Sequence, residues 1–176
     1  MSTGTGPFRE FATIYRNRRL SARPIWPREK GCHMPRWQRA ESEISDALFE
    51  SWLQKFGTYG LGLVMGTPLP DGSILGALDI DHDDYTRVGR ALLGNPVSGR
   101  FGKKGAVFFV RVFGKAENWE FKVKGRPELG KVAECLFIKK LCVIPPTVHP
   151  DTKQPYRWLG TALHEVSFDQ LPAVEF

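Results

Sequence analysis

The chain has 176 residues, 41% hydrophobic and 25% charged, and 25 Lys and Arg against 19 Asp and Glu give it a net charge of +6. This length suits one domain able to bury about 70% of its unfolded-chain surface, and the composition excludes a fibrous or disordered polymer. No apolar run approaches the roughly 18 residues of a membrane span, the N-terminus lacks the layout of a signal peptide, and three cysteines make no framework, so no membrane partner and a reducing, cytoplasmic setting are expected. The positive charge admits a polyanionic partner without requiring one.

Residues 1–7 read as a flexible N-terminus. Phe8, Phe11, Ala12, Ile14 and Tyr15 then recur at helical spacing, which predicts a helix over 7–20 with Pro7 in its first turn and Arg16, Arg18 and Arg19 at its cation-favouring end. Ala22–Pro27 is extended, because Pro24 and Pro27 disfavour helix for their predecessors. The basic loop from Lys30 to Arg36 and Trp37 offers either a surface for bases and phosphates or a packed Trp among solvated arginines. Glu41–Phe56 reads as one core helix, with an apolar stripe from Ile44 to Phe56, early acids and Gly57 to stop it.

Two apolar runs, Tyr59–Met65 and Ile74–Ile80, flank a turn-rich separator and predict a β-hairpin. The second run ends in Asp79-Ile80-Asp81. Side chains two apart on a strand share a face, so two carboxylates stand side by side while Leu78 and Ile80 turn to the buried face. Such a pair suits a hard divalent cation, Mg²⁺ or Mn²⁺, or it caps the strand and bonds the turn that continues through Asp83 and Asp84. Arg87–Leu93 reads as a short helix.

Ser98–Gly105 is a glycine-rich loop in which backbone N–H groups and Arg100, Lys103 and Lys104 could meet a phosphate, or a flexible solvated loop; it is not a Walker A loop. Residues 106–113 and 119–123 read as one strand pair, and 131–145 as another hairpin about the Lys139-Lys140 turn. Glu134, an acid inside an apolar strand, asks for a partner. Pro145–Trp158 is a rigid polar-aromatic loop. Cys135, Cys142 and His149 lack zinc-ligand spacing; with both cysteines expected on adjacent strands and no fourth ligand, no zinc site is assigned. Nothing places a nucleophile on an elbow or beside a base.

In the order and spacing of these pieces the chain resembles the bifunctional primase–polymerase (prim-pol) domain of the archaeo-eukaryotic primase superfamily, typical of phages, plasmids and other mobile elements. The likeness runs from about residue 10 to 165 and rests on Pro24-Ile-Trp-Pro27 through Trp37, Gly62-Leu-Val-Met-Gly66, Leu78-Asp-Ile-Asp81, Gly102-Lys-Lys-Gly105 through Arg111, and Val143-Ile-Pro-Pro-Thr-Val-His-Pro-Asp-Thr152 through Trp158. It implies an α/β (α+β) fold of mixed, mostly antiparallel sheets with an RRM-like catalytic core, in one domain over 8–165, with 166–176 a tail or the start of a linker. It further implies a template-dependent DNA primase/polymerase that transfers nucleotides to a 3′-OH and releases pyrophosphate. Asp79, Asp81 and Glu134 would hold two Mg²⁺ or Mn²⁺ ions. Arg100, Lys103, Lys104, Arg111 and His149 would contact the phosphates of a dNTP or NTP. Arg36, Trp37, Tyr156, Arg157 and Trp158 would contact a single-stranded template and primer. A helicase, in the same chain or separate, is the implied partner.

His149 has a second reading, as a loop-structuring hydrogen bond. Many members carry a His where Ala106 stands, which favours an alternative: a weakened module that only binds single-stranded nucleic acid or a nucleotide. A nuclease using the same metal pair is the third reading.

Overall fold

Pro7, whose missing N–H costs nothing in a first helical turn, opens α1 (Pro7–Asn17) in the computed structural model, which describes residues 5–175. The expected flexible N-terminus therefore lies mostly outside the described residues, and its last residue is already helical. α1 stops short of residue 20 because Arg19 takes φ 61°, a left-handed turn that sends Leu20 into the core. The helix expected over 41–56 is two pieces. A 3-10 turn (Glu41–Glu43) is separated from α2 (Asp46–Phe56) by extended Ile44 and Ser45, and the Ser45 hydroxyl caps α2 by accepting the Leu48 N–H at 3.2 Å.

The strands are β1 (Ala22–Ile25), β2 (Gly60–Val64), β3 (Thr67–Pro68), β4 (Ile74–Ile80), β5 (Ser98–Phe101), β6 (Ala106–Phe113), β7 (Trp119–Lys122), β8 (Lys131–Leu136), β9 (Leu141–Ile144), β10 (Arg157–Gly160) and β11 (Ala173–Glu175), with α3 (Asp83–Leu92) after β4. They form a small sheet, β1-β2-β9, and a large one, β10-β5-β6-β4-β8-β7, to which β3 and β11 are added. The class is α+β, with mostly antiparallel pairing; β11 on β6 is the parallel exception.

None of the three expected hairpins forms. β2 and β4 lie in different sheets, β6 pairs with β4, β5 and β11 rather than β7, and β8 and β9 part to the large and small sheets. β2, β6, β8 and β9 are buried along nearly their whole length, so they gain more by pairing across the sheets than by folding onto their chain neighbours, whereas β7 is an exposed edge strand. Cys135 and Cys142 therefore do not sit on adjacent strands. The segment read as a tail from residue 166 is part of the fold: Leu171 is buried, and β11 pairs with the last residues of β6.

One core joins α1, α2, one face of the small sheet and one face of the large sheet; Phe8, Tyr15, Phe49, Leu61, Ile144, Leu75 and Phe109 all belong to it. On the other face of the large sheet, α3 covers Ile80, close enough that a Cβ at Gly89 would meet the Ile80 side chain at 2.8 Å. β4 is thus packed on both sides, and its two faces must be told apart by register.

Candidate active site

Cross-strand register puts one row of residues side by side on a single face of the large sheet: Arg100 of β5 opposite Val107 of β6, Val107 opposite Asp79 of β4, and Asp79 opposite Glu134 of β8. Directly opposed side chains stand about 5 Å apart at Cβ. Asp79 shares this face with Leu75 and Ala77, both fully buried, so the core turns from apolar to charged within two residues of one strand. Asp81, just past β4, continues the ladder by donating its N–H to the Val132 carbonyl at 2.8 Å. Its Oδ2 is buried without a hydrogen-bond partner.

The row opens into a cleft of about 450 Å³, walled on the far side by Leu141 and Val143 of β9 and by Tyr156. Burial and the charges of Asp81 and Glu134 push the Asp79 carboxyl above its ordinary pKa, against the pull of Arg100 and Lys131. Glu134 behaves oppositely. It is buried, yet Lys131 and Lys140 each donate to one of its oxygens at 2.5 Å and hold its pKa low. Lys131 Nζ also lies 3.6 Å from Asp81 Oδ2. An ammonium group therefore stands between two of the three acids, and in this arrangement no group of three His, Cys, Asp or Glu side chains among the described residues is set to hold a metal ion.

Lys30, Arg100, Lys103 and Lys104 line the same cleft. Arg100 lies over the Tyr156 ring, 4.7 Å from its centroid, and its Nε has no partner. Burial raises the Tyr156 hydroxyl to about 12, so it stays protonated. Lys103 reaches Asp151 at 3.3 Å. The Gly102–Gly105 turn is ordered rather than loose: Asp83 accepts the Gly105 N–H at 2.6 Å, and Gly105, at φ 62°, lies so close to the Ile80 carbonyl that no Cβ fits. Asp83 is thus spent on the turn, while Asp81 is not. His149 is buried, and its Nδ1 accepts the backbone N–H groups of Asp151 and Thr152 at 3.1 and 3.4 Å. The loop-structuring role is therefore real, and it leaves Nε2 as the donor. Burial, then Lys30, lower its pKa, so the ring stays neutral.

The family described as Bifunctional DNA primase/polymerase, N-terminal, matches residues 12–174. The chain belongs to that family. Its members are DNA primase/polymerase domains, whose reaction is nucleotidyl transfer and whose substrates are DNA and nucleotides. No curated protein matches the sequence. No helix among the described residues is long and apolar enough to cross a membrane.

The prim-pol cleft is lined by Asp79, Asp81, Glu134, Arg100, Lys103, Lys104 and His149, and also by Tyr156, which was expected as a template contact and is buried beneath Arg100. Arg111 is not among them. It lies four residues along β6 from Val107, about 13 Å away, where it binds Asp71 at 2.7 Å and the Leu171 and Asp169 carbonyls, so it fastens the C-terminal segment rather than a phosphate. Trp158 is half-buried against Phe109 and His164, and Trp37 half-buried against the main core, both away from the cleft lining. Arg36 lines a separate groove with Arg39 and Lys139. Arg157 is exposed over Phe101 in a shallow pocket that shares Lys103 with the cleft. Ala106 pairs with Ile80, and its methyl is buried on the face away from the acids. A side chain there would not enter the cleft. Sequence reasoning missed Lys131 and Lys140, though cations flanking a lone acid in an apolar strand were the available signal.

Proposed function

We propose that this prim-pol domain is a template-dependent DNA primase/polymerase, extending a 3′-OH with nucleoside triphosphates and releasing pyrophosphate. The observation that carries the reading is the same-face row of Arg100, Asp79 and Glu134, beside an Asp81 oxygen left without a partner, at the floor of an open cationic cleft. Buried polar atoms are almost always satisfied, so an orphaned carboxylate oxygen beside two further acids suits a ligand with positive charge. The donor set is all carboxylate oxygen, which suits Mg²⁺ or Mn²⁺, and an ammonium already standing between Glu134 and Asp81 argues that a cation fits there. Asp79, Asp81 and Glu134 would hold two such ions, which when bound supply Lewis acidity to the attacking hydroxyl and the leaving phosphates.

The chain's own groups do the rest. Lys30, Arg100, Lys103 and Lys104 draw the triphosphate into the cleft and offset its charge, Arg100 being pre-set by Tyr156 and Asp79. His149, neutral with Nδ1 occupied, offers a hydrogen bond through Nε2 at the cleft wall. The primer 3′-oxygen bonds to the α-phosphorus as the bond to the pyrophosphate oxygen breaks, and the hydroxyl proton leaves to solvent. Exposed Arg157, one pocket away through Lys103, offers a phosphate contact to the strand entering the cleft.

The test is extension of a labelled DNA primer on a longer template with dNTPs and Mg²⁺ or Mn²⁺, beside Asp79→Ala. Extension in the wild type that falls about 10³-fold or more in the variant is expected. A folded protein that binds single strands but extends nothing with either ion would overturn the polymerase reading in favour of a binding module, and release of mononucleotides instead would make it a nuclease.

A further inference from the structure

Glu134 has two ammonium partners, but they are not equivalent. Lys140, in the turn just before β9, touches Glu134 Oε1 alone. Lys131 opens β8 itself, bonds Glu134 Oε2 at 2.5 Å and lies 3.6 Å from the orphaned Asp81 Oδ2. Its ammonium thus stands between Glu134 on β8 and Asp81 just past the end of β4. It is close enough to Asp81 to offset charge, yet too far to give the oxygen a hydrogen bond. A divalent ion bound by Asp81 and Glu134 needs those same oxygens, and an ammonium and a metal ion cannot share them without strong repulsion.

We propose that Lys131 is a resident counter-cation of the acid cluster and sets its divalent-ion affinity by competing for Asp81 and Glu134, while Lys140 only orients Glu134. This rests on the reading of the acids as a metal site. In the ion-free protein Lys131 keeps three converging carboxylates from repelling one another. When an ion enters, the ammonium gives up its place, so the site binds weakly until the ion concentration suffices. Lys131 is therefore a positioning residue, acting through the carboxylates and not on the substrate.

The experiment is a Mn²⁺ titration of the 176-residue chain, without DNA or nucleotide, following free Mn²⁺ by electron paramagnetic resonance. Lys131→Met is expected to bind Mn²⁺ about tenfold more tightly than the wild type, about 1.4 kcal/mol. Lys131→Arg, which keeps the charge, should stay within about threefold of wild type, as should Lys140→Met. Circular dichroism melts of each variant report whether it is folded, and the Arg variant keeps the test open if Lys131→Met is unstable: an Arg variant that binds more than tenfold tighter would contradict a charge competition. Equal or weaker binding in folded Lys131→Met, or the same tightening in Lys140→Met, overturns the proposal while leaving the metal site intact. Failure of the underlying reading looks different: Mn²⁺ binding absent from wild type and Lys131→Met alike, or unaffected by Asp81→Asn.

Discussion

Arg23 and Asp81 are both charges withdrawn from bulk water, and the molecule finishes them differently. Arg23 is fully buried, and every nitrogen of its guanidinium has a partner: Nε donates to the Trp37 carbonyl at 2.8 Å, Nη1 to Ala22 and Glu41 at 2.7 and 3.1 Å, and Nη2 to Arg39 at 2.7 Å. Glu41 is shared with Arg16, which also bonds the Ile44 carbonyl at 2.8 Å. That network is closed. It ties β1 to the 3-10 turn before α2 and satisfies every Arg23 nitrogen within it. The acid cluster is open: Asp81 Oδ2 and Arg100 Nε are two of the four buried side-chain atoms without a partner among the described residues, and both face one cleft. A closed ionic network is built for structure, and an open one beside a cleft is kept for something that arrives later.

The largest effect that would break this comparison is on the closed side. Glu41→Ala strands two arginines, one of them fully buried, and should cost about 3–5 kcal/mol in urea denaturation, with a fall in Tm of about 10 °C. A loss below about 1 kcal/mol would mean that the network is decoration. A smaller effect of opposite sign sharpens the open side. The Asp79 pKa is raised in the fold by burial and by Asp81 and Glu134, so its charged form destabilises the native state at neutral pH, and the wild type recovers stability as pH falls towards the raised value. Asp79→Asn should therefore be more stable than wild type by about 1 kcal/mol at pH 7, with the advantage shrinking on acidification, while primer extension is lost. Destabilisation by this substitution would contradict the open-cluster account.

The parts of this design that were legible in the sequence are the local ones. The Asp79-Ile80-Asp81 alternation put two acids on one face whatever the strand paired with, and Arg100, Lys103 and Lys104 announced a cationic turn. Pairing was not legible. Turn residues at 66–73 are compatible with a hairpin, and nothing in a period-two pattern says that β2 and β4 part to different sheets. The same limit hid the meeting of Glu134 with Asp79, which is a matter of register. Arg111 misled for the reverse reason: a basic residue on the right strand and the right face was four residues too far along it. Arg23 gave no sign at all, because a single Arg between Ala22 and Pro24 reads as surface until the carbonyls of three other residues are seen around it.

The central claim, that the acid cluster is left open for a cation, is met most directly by the melting temperature with and without saturating Mn²⁺, in the wild type and in Asp81→Asn. An ion that binds the native state alone stabilises it by about 2.7 kcal/mol at a hundredfold excess over Kd, and for a chain of this size that is a rise of roughly 5–10 °C. The account predicts that rise in the wild type and its near-absence in Asp81→Asn. No shift in the wild type, or an equal shift in both proteins, would contradict it.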